Sequence, residues 1–70
     1  MEEIEAIKLL KIATSVEVAE LTHKSMVSTI RQLNNLAKAG LIDIIELHQP
    51  KSRRIYIEKE FNKKFFEGET

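Results

Sequence analysis

The spacing of apolar residues divides this 70-residue chain into a helical first part and a shorter part with strand character. Up to about residue 39, apolar residues recur every three or four positions, which is typical of one face of an α-helix. After Gly40, the segments LIDIIELH and RRIYIEK are rich in β-branched and aromatic residues, which favour strands. The pattern therefore predicts several helices followed by a pair of antiparallel strands.

The first predicted helix covers about residues 2–13, where helix formers follow one another without a glycine or proline. Its apolar residues point in most directions around the helix axis: Ile4, Ala6, Ile7, Leu9, Leu10 and Ile12. A helix of this kind lies at the centre of a core or shares its surface with a second subunit. Because Ile4, Ile7 and Ile12 offer surplus apolar surface in so short a chain, we expect a homodimer.

A second helix is predicted from the segment TSVE, which has the form of a helix start. Thr14 can act as N-cap, and Glu17, three residues later, can reach back to complete a capping box. The predicted helix covers about residues 15–21. Its residues expected to be buried are Val16, Val18, Ala19 and Leu21.

A third helix is predicted over about residues 25–39, with Ser25 as N-cap and Gly40 as a left-handed C-terminal cap. The turn 22–24 separates it from the second helix, and the two form a helix-turn-helix arrangement. On a helical wheel, its inward-pointing residues are Met26, Thr29, Ile30, Leu33, Leu36 and Ala37.

The remaining chain predicts a β-hairpin over about residues 41–58 and a short helix over about residues 59–67. The turn QPKS contains the only proline and separates the two strand segments. In the tail, Phe61, Phe65 and Phe66 either cover the first helix or form a dimer contact. The predicted fold class is mainly α with a small antiparallel β-hairpin (α+β), in a single domain that takes the whole chain.

The formal net charge of zero results from an uneven distribution of charged residues. Residues 1–22 hold five acidic and two basic residues, and residues 57–70 hold four acidic and three basic ones. Residues 23–56, in contrast, hold six basic and two acidic residues. The basic middle of the chain indicates a negatively charged partner for that region.

The composition also limits the setting and the chemistry of the protein. No cysteine is present, which excludes disulfides and thiolate metal sites and fits a reducing environment. The N-terminus is acidic, unlike a signal peptide, and no apolar run approaches the roughly 20 residues that cross a bilayer. We therefore expect a cytoplasmic protein without membrane contact.

Neither a catalytic nor a metal-binding constellation is visible in the sequence. There is no glycine-rich phosphate loop and no nucleophile with a positioned base. His23 and His48 lack a third ligand at useful spacing, so we expect them to be turn and hairpin residues. Tyr56 is expected to pack within a strand. The sequence predicts a protein that is not an enzyme and needs no cofactor or small-molecule ligand.

The outward side of the third helix contains no acidic residue. Its central residues are Lys24, Ser28, Arg31, Gln32, Asn35 and Lys38, with Ser25 and Val27 at the edges. A surface helix built only for solubility would normally mix glutamate with lysine and gain i,i+4 pairs. The absence of acids therefore favours a helix that lies near phosphates, although an ordinary solvated face with a chance absence of acids is the simpler alternative.

The segment VAELTHKSMVSTIRQLNNLAKAGLI, followed by HQPKSRRIYI, resembles the winged helix-turn-helix DNA-binding domain of small bacterial and archaeal regulators of the ArsR and MarR type. The resemblance covers roughly residues 7–58 and depends on capping, spacing and apolar periodicity in the right order. His23 stands where the family turn commonly has glycine, and Lys24 where an apolar residue is common. The resemblance implies that the third helix is the recognition helix and that the hairpin is the wing.

The resemblance and the side-chain chemistry together assign roles to nine residues. The N-terminal half of a recognition helix enters the major groove, where arginine pairs with guanine and glutamine with adenine, and an apolar side chain such as valine contacts the thymine methyl group. The residues expected to face bases are Ser25, Val27, Ser28, Arg31 and Gln32, and Lys24 is expected to contact a phosphate. Lys51, Arg53 and Arg54 are expected on the DNA backbone or in the minor groove. Such cations on an edge hairpin also discourage edge-to-edge pairing, which is the alternative reading.

The favoured functional hypothesis is sequence-specific binding of double-stranded DNA by a homodimeric transcriptional regulator. One alternative is a winged-helix module that binds another protein in a larger assembly. Another is architectural DNA binding without sequence preference, which the zero net charge disfavours.

Overall fold

The computed structural model describes residues 1–67, with side chains over residues 1–65, and shows a small α+β fold. The elements in chain order are α1 (Glu3–Leu10), β1 (Ile12–Ala13), α2 (Ser15–Thr22), α3 (Met26–Lys38), β2 (Ile42–Leu47), β3 (Arg53–Glu58), α4 (Lys59–Asn62) and a π-helical segment (Lys63–Glu67). None of the described helices combines the length and the apolar character that crossing a bilayer requires.

The predicted N-terminal caps of α2 and α3 are confirmed. Thr14 Oγ1 accepts a hydrogen bond from the Glu17 amide at 3.3 Å, while Glu17 Oε1 accepts one from the Thr14 amide at 2.9 Å. Ser25 Oγ accepts from the Ser28 amide at 3.2 Å. Because the first amides of a helix have no partner within the helix, these bonds determine where α2 and α3 begin.

Both helices end at a residue in the left-handed conformation. His23 follows α2 with φ 59° and ψ 39°. Gly40 follows α3 with φ 81°, and its amide bonds to the Ala37 carbonyl while the Leu41 amide bonds to the Leu36 carbonyl. This pair of hydrogen bonds is a Schellman motif and confirms the predicted glycine cap. The turn 23–25 therefore needs a left-handed residue at its first position, and the chain uses histidine there.

The first helix is shorter than predicted, because α1 ends at Leu10 and not near residue 13. Lys11 has φ 71° and turns the chain out of the helix. Its carbonyl accepts from the Glu58 amide at 2.9 Å, and its Nζ lies 3.2 Å from Glu58 Oε1. Residues 12–13 then form β1, a strand that was not predicted. Pairing with a distant strand has overridden local helix propensity here.

The sheet has three antiparallel strands in the order β1-β3-β2, so the predicted hairpin is joined by an additional edge strand. Tyr56 lies opposite Ala13 on one side and Ile44 on the other. Since residues directly opposite each other point to the same face, these three share a face with Ile42. The other face of the sheet carries Ile12, Asp43, Ile45, Leu47, Arg53, Ile55 and Ile57.

One core lies between the helices and the first of these two faces. Its buried residues are Ala6, Ile7, Ala13, Val18, Leu33, Leu36, Ile42 and Tyr56. Tyr56 packs in the strand as predicted, and Thr29 is buried as predicted. Val16 and Met26, however, were expected inside and are 51% and 39% exposed. Both lie at the first turn of their helices, beyond the edge of the core.

The apolar surplus expected on the first helix is smaller than predicted. Ile7 is fully buried within the subunit, and Ile4 packs against the core. Leu9 and Ile12 remain exposed. Because β1 and β3 occupy the space beside α1, most of its apolar circumference is used inside one chain. Ile7 therefore cannot contribute to a dimer contact, whereas Ile4 is only partly buried and Ile12 is exposed. The homodimer stays a prediction.

The C-terminal helical segment is attached to the second face of the sheet by Asp43. Asp43 Oδ2 accepts from Asn62 Nδ2 at 2.7 Å, and Asp43 Oδ1 lies 2.9 Å from Lys59 Nζ. The ring centroids of Phe61 and Phe65 are 4.7 Å apart. The side chain of Phe66 is not among those that the structure describes. The hydrogen bond from Asn62 lowers the pKa of Asp43, burial opposes this, and Lys59 adds to the lowering.

The two left-handed caps predict opposite effects of substitution. His23→Gly should raise the free energy of unfolding by about 0.5–1 kcal/mol, because glycine adopts positive φ without a Cβ clash. Gly40→Ala should lower it by about 1 kcal/mol through backbone strain alone, since an added Cβ would have no described atom within 4 Å other than those of its two chain neighbours. Urea denaturation measures both, and a less stable His23→Gly variant would contradict the assignment.

Asp43 predicts a pH dependence of stability. Its pKa is lowered from the usual value of 3.8, so its stabilising contribution is present above that value and is lost as the pH falls through the folded pKa. The wild-type protein should therefore lose more stability than Asp43→Asn between about pH 5 and about pH 2. Thermal unfolding across this range measures the difference, and parallel curves for the two proteins would argue against the Asp43 interaction.

Candidate nucleic-acid interface

The outward side of α3 presents most of the residues predicted to face bases. Val27 is 68% exposed, and Ser28 and Arg31 are also exposed, whereas Gln32 is half-buried. Ser25 is exposed, but its oxygen already accepts from the Ser28 amide as the helix cap. Its hydroxyl proton is still available to donate. Residues 27, 28, 31 and 32 therefore share one accessible surface at the N-terminal half of α3.

A groove of about 420 Å³ runs beside this surface, between α3 and the start of α1. Its lining residues are Glu2, Glu3, Lys24, Ser28, Arg31 and Gln32. The structure thus brings together four of the predicted site residues. It also places two carboxylates beside a helix face that contains none in its own sequence, because α1 folds back against the start of α3.

Lys24 forms an ion pair at the α1 end of the groove. Its Nζ lies 3.2 Å from Glu3 Oε1 and 3.9 Å from Glu2 Oε1. The Glu3 side chain is only 2% exposed, whereas that of Lys24 is 39% exposed. A buried carboxylate is costly without a cationic partner, so this contact holds α1 and the turn before α3 together. The sequence did not indicate Glu3 as part of this site, because an acidic residue at this position is typical of the first turn of any helix.

Three other predicted cations, Arg31, Lys51 and Arg53, form no ion pair with any described residue. All three are exposed. Arg31 lies in the groove, and Lys51 lies in the turn between β2 and β3. An exposed cation without an internal carboxylate keeps its charge available to an external anion.

The hairpin cations do not form one cluster. Arg53 and Arg54 are consecutive on β3, so their side chains point to opposite faces of the sheet. Arg54 lies opposite Glu46 and donates to its Oε2 at 2.8 Å. The neighbouring Tyr56 hydroxyl, and then the Glu46 carboxylate, raise the pKa of Arg54 above its usual value. Arg54 is thus engaged within the hairpin, and Arg53 and Lys51 remain available.

A second groove of about 490 Å³, with an apolar character, lies between α2 and the first turn of α3. Val16 and Met26 line it together with His23. This exposed apolar surface was not predicted, because helical periodicity placed Val16 and Met26 in the core. It borders the proposed base-facing residues through Met26, the neighbour of Val27.

No known protein family, curated protein or solved structure matches this chain. Among the described residues, no group of three or more histidine, cysteine, aspartate or glutamate side chains could hold a metal ion.

The Glu3–Lys24 pair predicts an asymmetric response to substitution. Lys24→Met should lower the free energy of unfolding by about 1–3 kcal/mol, because it leaves a buried carboxylate without its cation. Glu3→Gln should lower the free energy of unfolding by a smaller amount, because the partly exposed Lys24 ammonium can be hydrated when its carboxylate partner is removed. A double-mutant cycle by urea denaturation gives the coupling free energy. Additive effects of the two substitutions would show that the pair contributes nothing to stability.

Proposed function

We propose that this protein is a winged helix-turn-helix domain that binds double-stranded DNA with sequence specificity. The observation that carries the proposal is the exposed surface of α3, where Val27, Ser28, Arg31 and Gln32 lie together without an acidic residue on the helix itself. The order of α1, α2, a short turn, α3 and the hairpin β2–β3 supports it. In this proposal α3 enters the major groove.

The side chains on α3 suit the edges of bases. Arg31 has no ion pair among the described residues, so its guanidinium can donate a fork to guanine O6 and N7. Gln32 can pair with adenine N6 and N7, and the exposed Val27 methyl groups can contact a thymine methyl. Ser25 and Ser28 are small enough to let the helix approach the base pairs.

The hairpin supplies contacts to the DNA backbone in this proposal. Lys51 and Arg53 are exposed and have no described carboxylate partner, which favours them over Arg54, whose guanidinium is bonded to Glu46. Phosphate contacts position a protein on a duplex without reading its sequence. We propose that a homodimer binds two half-sites and regulates transcription by occupancy, in the cytoplasm and in association with the nucleoid. Such a role requires neither catalysis nor a cofactor.

A second candidate is a winged-helix module that binds another protein. The exposed apolar surface around Val16 and Met26 favours it, because an apolar patch beside a polar surface is typical of a docking site. A stoichiometric partner that remains bound after nuclease treatment would support this candidate. A third candidate, architectural DNA binding, predicts equal affinity for a selected duplex and for random duplexes.

The proposal separates two classes of substitution. Arg31→Ala and Gln32→Ala should each reduce discrimination between preferred and mismatched base pairs by about 1–3 kcal/mol. Lys51→Ala and Arg53→Ala should weaken binding to all duplexes alike and reduce the salt slope by about one each. Selection from random duplexes, followed by fluorescence anisotropy over a salt series, measures both effects.

Lys63→Ala is the matched control for these substitutions, since Lys63 is an exposed lysine in the C-terminal segment away from α3 and the hairpin turn. It should alter neither discrimination nor the salt slope. If the wild-type protein shows no affinity for any duplex at low salt, the proposal is wrong.

A further inference from the structure

A buried carboxylate lies at the edge of the proposed DNA-binding surface, where an acid is least expected. We propose that Glu2 and Glu3 are specificity determinants that hold the Lys24 ammonium away from DNA phosphates. The proposal rests on the DNA-binding function proposed above and concerns the same groove. It replaces the simple expectation that Lys24 is a phosphate contact, because the Lys24 charge is already engaged within the chain.

Lys24 is held in place both by its backbone and by the end of its side chain. Its amide donates to the Ala19 carbonyl at 3.3 Å, which attaches the backbone to the end of α2. Its Nζ lies 3.2 Å from the almost fully buried Glu3 carboxylate. If the ammonium moved to a phosphate, Glu3 would be left buried and negatively charged without this partner, which is strongly unfavourable. The contact with Glu3 therefore competes directly with any phosphate.

The charges in the groove are unequally distributed along its length. At the α1 end, the two carboxylates of Glu2 and Glu3 outnumber the single Lys24 ammonium. Elsewhere in the groove, Arg31 has no described carboxylate partner. A phosphate is therefore repelled from the α1 end and attracted towards Arg31. This field favours one placement of the duplex on α3.

The consequence is a lower sequence-independent affinity. Each lysine that neutralises a phosphate releases counterions and strengthens binding to every duplex alike. With Lys24 engaged by Glu3, this contribution is absent, whereas the base contacts of Arg31 and Gln32 remain. The ratio of specific to non-specific affinity is then higher than in a protein with a free lysine at this position. Glu2 and Glu3 act through Lys24 and are positioning residues.

The test measures binding of the full chain to two fluorescent probes: a duplex selected from a random pool by the wild-type protein, and the unselected random pool. Fluorescence anisotropy over a salt series gives the affinity and the salt slope for each probe. The variants are Glu3→Gln, Glu2→Gln, Lys24→Met and the double variant Glu3→Gln/Lys24→Met. Glu60→Gln removes one exposed negative charge on α4 and is the matched control. Circular dichroism confirms that each variant is folded at the temperature used.

The proposal expects Glu3→Gln to steepen the salt slope by about 0.9 and to strengthen binding to the random pool by about five- to tenfold at low salt. The specificity ratio should fall, because the selected duplex gains no base contact. Glu2→Gln should produce a smaller change, since its carboxylate is farther from Nζ at 3.9 Å. The exposed Glu2 also provides a test if Glu3→Gln does not fold. Lys24→Met alone should leave the slope unchanged, and the double variant should return it to the wild-type value.

Two results would overturn the inference while leaving DNA binding intact. Lys24→Met could lower the slope by about one, which would show that Lys24 contacts a phosphate despite its ion pair. Alternatively, Glu3→Gln and Glu2→Gln could change the slope no more than Glu60→Gln does. If neither the wild-type protein nor any variant binds a duplex at low salt, the proposed function itself is wrong and this inference falls with it.

Discussion

The central strand β3 is the constraint on which the rest of the fold depends. It is hydrogen-bonded to β1 on one side and to β2 on the other, so it connects the beginning of the chain with its end. Its Tyr56 side chain lies in the core with residues of all three longer helices. Through β1 and β3, the short connection between α1 and α2 is attached to the sheet. The placement of α1, and hence of Glu2 and Glu3 beside α3, follows from this attachment.

The electrostatics of the candidate interface depend on that placement. In the sequence, Glu3 of the first helix and Lys24 of the basic middle segment are 21 positions apart. In the fold they meet in one groove. The surface proposed to approach DNA therefore combines an ion-paired lysine with an arginine, Arg31, that has no ion pair among the residues described, and the positive charge is concentrated at Arg31. Position within the fold, more than net charge, decides where an anionic partner can bind.

The hairpin shows the same principle on a smaller scale. Three cations within four residues, from Lys51 to Arg54, suggest one basic cluster. The alternation of side chains along a strand separates Arg53 from Arg54, and the cross-strand position of Glu46 engages the second of these. The opposite face of the sheet receives α4, where Asp43 binds Lys59 and Asn62. The two faces of this small sheet therefore have different contacts: one packs against the helices in the core, and the other binds the C-terminal segment.

The sequence by itself determined the features that depend on neighbouring residues. The capping box of Thr14 and Glu17, the Ser25 cap and the left-handed Gly40 all bond within a few positions, so α2, α3 and the hairpin could be predicted with nearly correct bounds. Only the tertiary structure decided the end of α1 at Leu10, the strand β1, the exposure of Met26 and the Glu3–Lys24 pair. Each of these depends on a partner, or on the edge of a core, supplied by residues far away in the chain. The local helix propensity of residues 11–13 favours a longer first helix. Pairing with the edge of β3, however, provides hydrogen bonds and buries Ala13, and neither can be predicted from neighbouring residues alone.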